Sequence, residues 1–394
     1  MKDPVLAATR RTPSREEFTR RRLLGGAAAL ASLPLLRNAA FAAAVERSGL
    51  GKAFSGVFHI GAAVSTQALQ RPIQPELDLI AREFTSITPE NALKWGSLHN
   101  GDEWNWDAAD KFVDFGTRNQ LNVVGHTLVW HSQVPRTVFQ DAQGQPLGRT
   151  ALLGRMEQHI STLAGRYKGR IHTWDVVNEA IDEDKGWRRS PWFNQVGEDF
   201  MEHAFRFANQ ADPAAKLLYN DYNTHNPGKT AFLVPVLKDY LKRGVPIHGI
   251  GMQCHIGLDY PDWQQLEDSI KAYADLGMDI HITELDIDVL PSRNTSADLG
   301  AARGEANTAA MDPYKGGLPA QVELALADRY EQFFRLMLKY RRNVKRVTTW
   351  GVHDGMSWKN DFPVRGRTNY PLLFDRQLKP KLAHARLMAL ATSL

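Results

Sequence analysis

The sequence predicts an α/β protein whose strands close into a (β/α)8 barrel, and three observations carry that prediction. Eight strand-like runs, at about 56–61, 84–88, 121–126, 171–177, 216–220, 247–252, 279–284 and 345–351, alternate with amphipathic stretches such as Trp106–Asn119, Thr150–Arg166, Val196–Ala211 and Gln321–Arg341. Runs such as Ile171–Val177 lack strict polar/apolar alternation, as expected of parallel strands covered on both faces. Polar and aromatic residues gather at the end of nearly every run, and in a barrel those ends converge on one face. A doubly wound open sheet shares the alternation but gives no reason for the third observation. The TIM barrel, ordinarily about 250 residues or more, also fits the length.

The chain opens with a segment that does not belong to that rhythm. Residues 1–44 carry Thr19-Arg20-Arg21-Arg22-Leu23-Leu24, an apolar Gly/Ala-rich run from Gly25 to Leu36, Arg37, and small residues at Ala42-Ala43-Ala44. This three-part pattern is expected to be a twin-arginine export signal removed near residue 44, its apolar run too short to span a bilayer. The mature protein is then periplasmic or secreted. Lys2 and seven arginines against Asp3, Glu16 and Glu17 give the segment a net +5, so the whole-chain charge of +4 becomes −1 without it. The remainder, 45–394, reads as a single catalytic-sized domain with no charge excess pointing to nucleic acid or a membrane surface.

Cys254 is the only cysteine, which rules out an intramolecular disulfide and makes it a small buried residue. Stability is left to the core. No repeat or appended module interrupts 45–394, and no exposed apolar stripe names an oligomeric interface, so a monomer is expected. The one irregular stretch, about Pro291–Pro319, reads as a long loop, either a lid over the strand ends or an idle excursion.

The strand ends carry the chemistry. In order they are Glu90-Asn91-Ala92-Leu93-Lys94-Trp95; Gly125-His126-Thr127-Leu128-Val129-Trp130-His131-Ser132-Gln133; Trp174-Asp175-Val176-Val177-Asn178-Glu179; and Asn220-Asp221-Tyr222-Asn223. Gln253-Cys254-His255, Thr283-Glu284-Leu285-Asp286, Trp350-Gly351-Val352 and Ser357-Trp358 complete the set. Glu179 and Glu284, 105 residues apart, each stand where a strand ends, and a pair of carboxyls on one barrel face suggests glycoside hydrolysis.

In this order the motifs resemble the xylanases of glycoside hydrolase family 10, from about Phe54 to the C-terminus. Such chemistry needs one carboxyl protonated and one ionised. Glu179, beside Asn178 and near Trp130, is expected to hold its proton as general acid and later base; Glu284, beside an imidazole, is expected to be the ionised nucleophile. The resemblance implies the same roles, retention of configuration, and hence carboxyls about 5–5.5 Å apart. Asp286 projects to the same side of its strand as Glu284, and the resemblance implies that His255 bridges the two, with its tautomer fixed. Asn178 is expected to donate to the sugar 2-hydroxyl.

Sugars present hydroxyls at their rims and C–H groups on their faces. Trp130, Trp350 and Trp358 are expected to supply flat faces, and the resemblance implies that Glu90, Asn91, Lys94, His126, Gln133 and Gln253 line subsites on the non-reducing side of the cut. Tyr222 is expected to stack beyond it; Trp95 and Trp174 read as core. Trp358 and Gln133 are candidates for excluding the hydroxymethyl group that distinguishes glucose from xylose. The chain departs from the family where Arg136-Thr137-Val138-Phe139 follows His131-Ser132-Gln133-Val134-Pro135, a tryptophan being usual there, and in the length of the 291–319 loop. His126 with His131, and Asp182-Glu183-Asp184, lack metal-ligand spacing, and no metal or other cofactor is expected. The expected partner is xylan or xylo-oligosaccharide, with another β-linked glycan, or binding without catalysis, as the alternatives.

Overall fold

Eight parallel strands run in chain order around a cylinder: β1 (His59–Val64), β2 (Ser86–Pro89), β3 (Asn122–Val129), β4 (Thr173–Asn178), β5 (Lys216–Asp221), β6 (Gly249–Met252), β7 (Asp279–Asp288) and β8 (Val344–Thr349). The computed structural model describes residues 49–100, 103–182, 186–291 and 307–394. The expected export leader, Glu183 and Asp184 of the acidic run, and 292–306 of the long loop lie outside the described residues. Each strand pairs with its sequence neighbours, and β1 with β8 and β6 with β7 complete the ring. Closure excludes the open sheet. Every strand overlaps its expected run, and β7 extends furthest beyond it because His255–Gly257 pairs with Asp286–Asp288.

Helices cross outside the strands: α1 (Gln74–Glu83), α2 (Asp107–Arg118), α3 (Arg149–Arg166), α4 (Phe200–Ala211), α5 (Pro227–Lys242), α6 (Trp263–Asp275), α7 (Ala320–Lys339) and α8 (Leu382–Ala391). Their starts are written locally. Pro227 begins α5 behind Asn226, whose side chain accepts from the Gly228 and Lys229 amides at 2.8 and 3.4 Å, and Asp262 caps α6 in the same way. On α2 the residues Ala109, Phe112, Val113, Phe115 and Gly116 form the inward stripe, and burying a side chain such as Phe112 contributes about 1.5–3 kcal/mol. Phe112→Ala would open a cavity there. The stretch expected over 196–211 forms α4 from Phe200 onward; a separate six-residue helix, Pro191–Val196, ends before it at Gly197, whose φ is 105°.

Because every strand points the same way, all eight C-terminal ends lie at one mouth. Register shifts between His126 and Val129 on β3 and between Asp175 and Val177 on β4 re-aim the side chains there. Gln133, Glu179, Asn223 and Cys254, all at this mouth, adopt left-handed backbone at φ 48°, 57°, 47° and 57°. Non-glycine residues persist in that region only when their surroundings over-determine them, which is characteristic of functional sites. Trp95 and Trp174 are buried in the core as expected, and so is Cys254, whose thiol pKa burial pushes up.

Candidate active site

The mouth encloses a cleft of about 280 Å³ lined by Glu90, Asn91, Lys94, His126, Trp130, Gln133, Asn178, Glu179, Gln253, His255, Glu284, Trp350 and Trp358. Each of these was expected from the sequence. A second hollow of about 360 Å³, lined in part by Ser65, Gln67, Asn360 and Asp361, shares Glu90, Asn91 and Trp358 with it, so the cleft continues as a groove past these residues.

Glu179, just past β4, is 6 % exposed. Its Oε2 accepts from Trp130 Nε1 at 2.8 Å, and its Oε1 from Gln253 Nε2 at 3.0 Å and Asn178 Nδ2 at 3.3 Å. Burial raises its pKa; Gln253 and Trp130 oppose this, and the Glu284 charge adds to it. The net effect favours the protonated carboxyl. Glu284, within β7, is as buried, but its pKa is lowered. Burial alone would raise it; the hydrogen bond from His255, the field of His126 and the bond from Asn220 outweigh that. Asn220 Nδ2 lies 2.8 Å from Glu284 Oε1, and His255 Nε2 lies 3.2 Å from Oε2.

Behind Glu284, His255 Nδ1 stands 3.0 Å from Asp286 Oδ2, which also accepts from Trp358 Nε1 at 2.7 Å. The expected bridge is therefore present. Burial disfavours the imidazolium, but Asp286 and Glu284 raise the His255 pKa to about 9. That rise favours the imidazolium, which would donate from both ring nitrogens, one to each carboxylate. Asp286 does its work from behind this ring, outside the residues that line the cleft.

Lys94 is buried with its Nζ 4.9 Å from the Trp130 ring centroid and 3.1 Å from Asn91 Oδ1, to which it donates. Burial lowers its pKa, while Glu284, Glu90 and Glu179 resist. Burial likewise raises Glu90, with Lys94 opposing. These groups form one electrostatic unit, so a change at one is felt at both central carboxyls. Trp350 meets the His126 ring edge-on at 5.3 Å, and His126 Nδ1 lies 2.9 Å from Asp175 Oδ2.

Tyr222 departs from expectation. It is 2 % exposed and does not line the cleft; Lys229 Nζ sits 4.0 Å from its ring centroid and Arg188 donates to its hydroxyl at 2.6 Å. A ring covered by two cations offers no face to a sugar. Asn178 also differs in detail: its amide donates to Glu179, and its Oδ1 accepts from Asn220 Nδ2 at 2.9 Å. In the family-divergent segment, Phe139 packs edge-on against Trp192 at 4.8 Å.

Asn220 is the functional residue that sequence reasoning quoted without a role. It joins Asn178 to Glu284, and Thr283 Oγ1 donates to its Oδ1 at 2.6 Å. Gly251 leaves it room, since a Cβ there would stand 2.3 Å from Asn220 Oδ1. Its place follows from strand register, which no spacing in the chain displays: Asn178 and Gly251 both pair with Asn220.

Two buried carboxyls driven to opposite protonation preferences, inside a groove rich in indoles and amides at a barrel mouth, define a carbohydrate-cleaving barrel. Residues 49–390 match the model of glycosyl hydrolase family 10, and the chain belongs to that family. An endo-1,4-beta-xylanase of Geobacillus stearothermophilus is 42 % identical over 347 residues, covering 86 % of this chain and 97 % of the relative. Endo-1,4-beta-xylanase B of Paenibacillus barcinonensis is 40 % identical over 339 residues, covering 85 % and 96 %. Among solved structures, a GH10 endoxylanase retrieved from a sugarcane soil metagenome superposes with a TM-score of 0.85 at 51 % identity, covering 87 % of this chain and 100 % of that one.

Proposed function

We propose that this protein cleaves internal β-1,4-xylosidic bonds of xylan with retention of configuration, Glu179 serving as general acid and base and Glu284 as nucleophile. The observation that carries the assignment is the divergence of the two carboxyls: burial keeps Glu179 above the ordinary carboxylate range, while His255, His126 and Asn220 hold Glu284 below it. Family membership and the xylanase names of the relatives supply the substrate class.

In the first displacement the Glu284 carboxylate attacks the anomeric carbon. The bond from that carbon to the leaving oxygen breaks, and Glu179 passes its proton to that oxygen. In the second, Glu179, now ionised, takes a proton from water; the resulting nucleophile attacks the same carbon and releases Glu284. Asn178 contacts the 2-hydroxyl in the transition state, as its amide stands between Glu179 and Asn220. Trp350 and Trp358 supply apolar faces, and the groove past Glu90 and Trp358 gives a polymer room to run on. Retention requires the two carboxyls to lie about 5–5.5 Å apart when a sugar is bound.

Product chromatography on glucuronoarabinoxylan and on a soluble β-glucan, with wild type and Glu284→Ala, tests the activity. Xylo-oligosaccharides from the wild type alone are expected, and NMR of the first product should show the β-anomer. Glucan products in preference to xylan products, or an α-anomer, would overturn the substrate or the stereochemistry. We further propose that residues 1–44 export the enzyme by the twin-arginine route, resting on Arg20-Arg21-Arg22 and the weakly apolar run that follows. Replacing Arg21 and Arg22 by lysine should leave the precursor in the cytoplasm; unchanged export would reject the route.

A further inference from the structure

The opposite end of the barrel holds a second cavity, of about 510 Å³. Its wall is made where strands begin: His59, Asn122, Thr173, Lys216 and Asp279 are the first residues of β1, β3, β4, β5 and β7. Because the strands are parallel, this base is separated from the catalytic mouth by the length of the barrel. At its floor Arg346 of β8 pairs in register with His59 on one side and His281 on the other.

Arg346 is 2 % exposed, and neither Nε nor Nη2 has a hydrogen-bond partner among the described residues. His281 is 4 % exposed, and neither of its ring nitrogens has one among those residues. Buried polar groups are almost always satisfied, and a buried charge without a partner is costly, so two such groups on one cavity wall call for an occupant. Burial draws the Arg346 pKa down to about 10, against the opposing field of Asp175. The guanidinium nevertheless stays charged at neutral pH.

The rim has the same sign. Lys216 and Lys345 flank the opening with side chains 55 % and 43 % exposed, and the one carboxylate, Asp279, stands 4.0 and 3.6 Å from them. In the lining itself, Arg346 and the two lysines outnumber the one carboxylate, Asp279. His172 at the rim accepts the Val123 amide on Nδ1 at 3.0 Å, which leaves its Nε2 as a donor.

We propose that this basal cavity binds a tetrahedral oxyanion of the phosphate or sulfate kind, held by Arg346 and His281 from the floor and by Lys216 and Lys345 from the rim. Donors approaching from separate strands suit an anion with several oxygens better than a planar carboxylate with two. The bound anion ties β5, β7 and β8 together at the end of the barrel away from the chemistry, so its effect falls on stability rather than on turnover.

The test is thermal unfolding and titration calorimetry with inorganic phosphate against sodium chloride and sodium acetate at equal ionic strength. At about ten times its dissociation constant phosphate should raise the midpoint by roughly 2 °C, while chloride and acetate leave it unchanged. Arg346→Met should abolish the rise, and Lys345→Ala, a surface change that spares folding, should weaken phosphate affinity about tenfold. Equal stabilisation by all three salts, a rise that persists in Arg346→Met, or unchanged affinity in Lys345→Ala would each overturn the proposal.

Discussion

Replacing Asp286 by asparagine tests whether Glu284 is held ionised from behind. His255 lies 3.0 Å from Asp286 and 3.2 Å from Glu284, and these neighbours lift its pKa from 6.5 to about 9 against the opposing pull of burial. That lift corresponds to on the order of 3 kcal/mol in favour of the imidazolium. The amide keeps the shape of Asp286 and removes its charge, so burial opposes only Glu284, the His255 pKa falls and the ring is less fully protonated near pH 7. Glu284 then loses part of the neighbouring charge that offsets its own burial, and its pKa rises. The acid limb of kcat/KM, which reports ionisation of the nucleophile in the free enzyme, should move up by about one to two pH units, measured on an aryl xylobioside. Stability should respond as well. With its folded pKa raised above 6.5, His255 contributes fully below pH 6.5, and that contribution fades as pH rises through about 9. Urea unfolding of the wild type should therefore weaken across that window by up to about 3 kcal/mol, and Asp286→Asn should be flatter. An acid limb that stays put, with stability falling equally in both proteins, would refute the reasoning.

Three further outcomes follow from neighbouring contacts. Trp130→Phe removes the 2.8 Å bond that opposes protonation of Glu179, so the alkaline limb of the pH profile should move up by about one unit. Asn220→Ala deletes a donor to Glu284 and to Asn178; a loss of roughly 10- to 100-fold in kcat, with KM little changed, is expected from steady-state kinetics. Trp358→Ala opens the wall beside the cleft and should narrow the preference for xylo- over gluco-substrates by about 1–3 kcal/mol in relative kcat/KM; equal relative rates before and after would exclude Trp358 from discrimination.

Much of the site was legible because a barrel converts a local feature, the end of a strand, into a global address. Once the eight runs were recognised, Glu90, His126, Gln253 and Trp350 could be placed at one mouth without knowing a single contact between them. Tyr222 shows the limit of that rule. It also follows a strand, but Arg188 and Lys229 cover its ring, and neither arrives there by any spacing visible in the chain. Asn220 was missed for the converse reason: its importance lies in the register that sets it between Asn178 and Glu284 and in the space left by Gly251.

By itself, the sequence determined the alternation of strands and helices and the set of residues that could reach the mouth, because each follows from backbone sterics and short-range periodicity. The protonation of those residues was decided only by the tertiary structure. Glu179 and Glu284 carry the same side chain, and what separates them is burial against Trp130 and Gln253 for one and against His255 and Asn220 for the other. The burial of Arg346 at the barrel base was settled in the same way, by closure of β8 between β1 and β7. Electrostatic free energy depends on distances between groups far apart in the chain and on the water excluded from between them, and both are fixed only when the barrel closes.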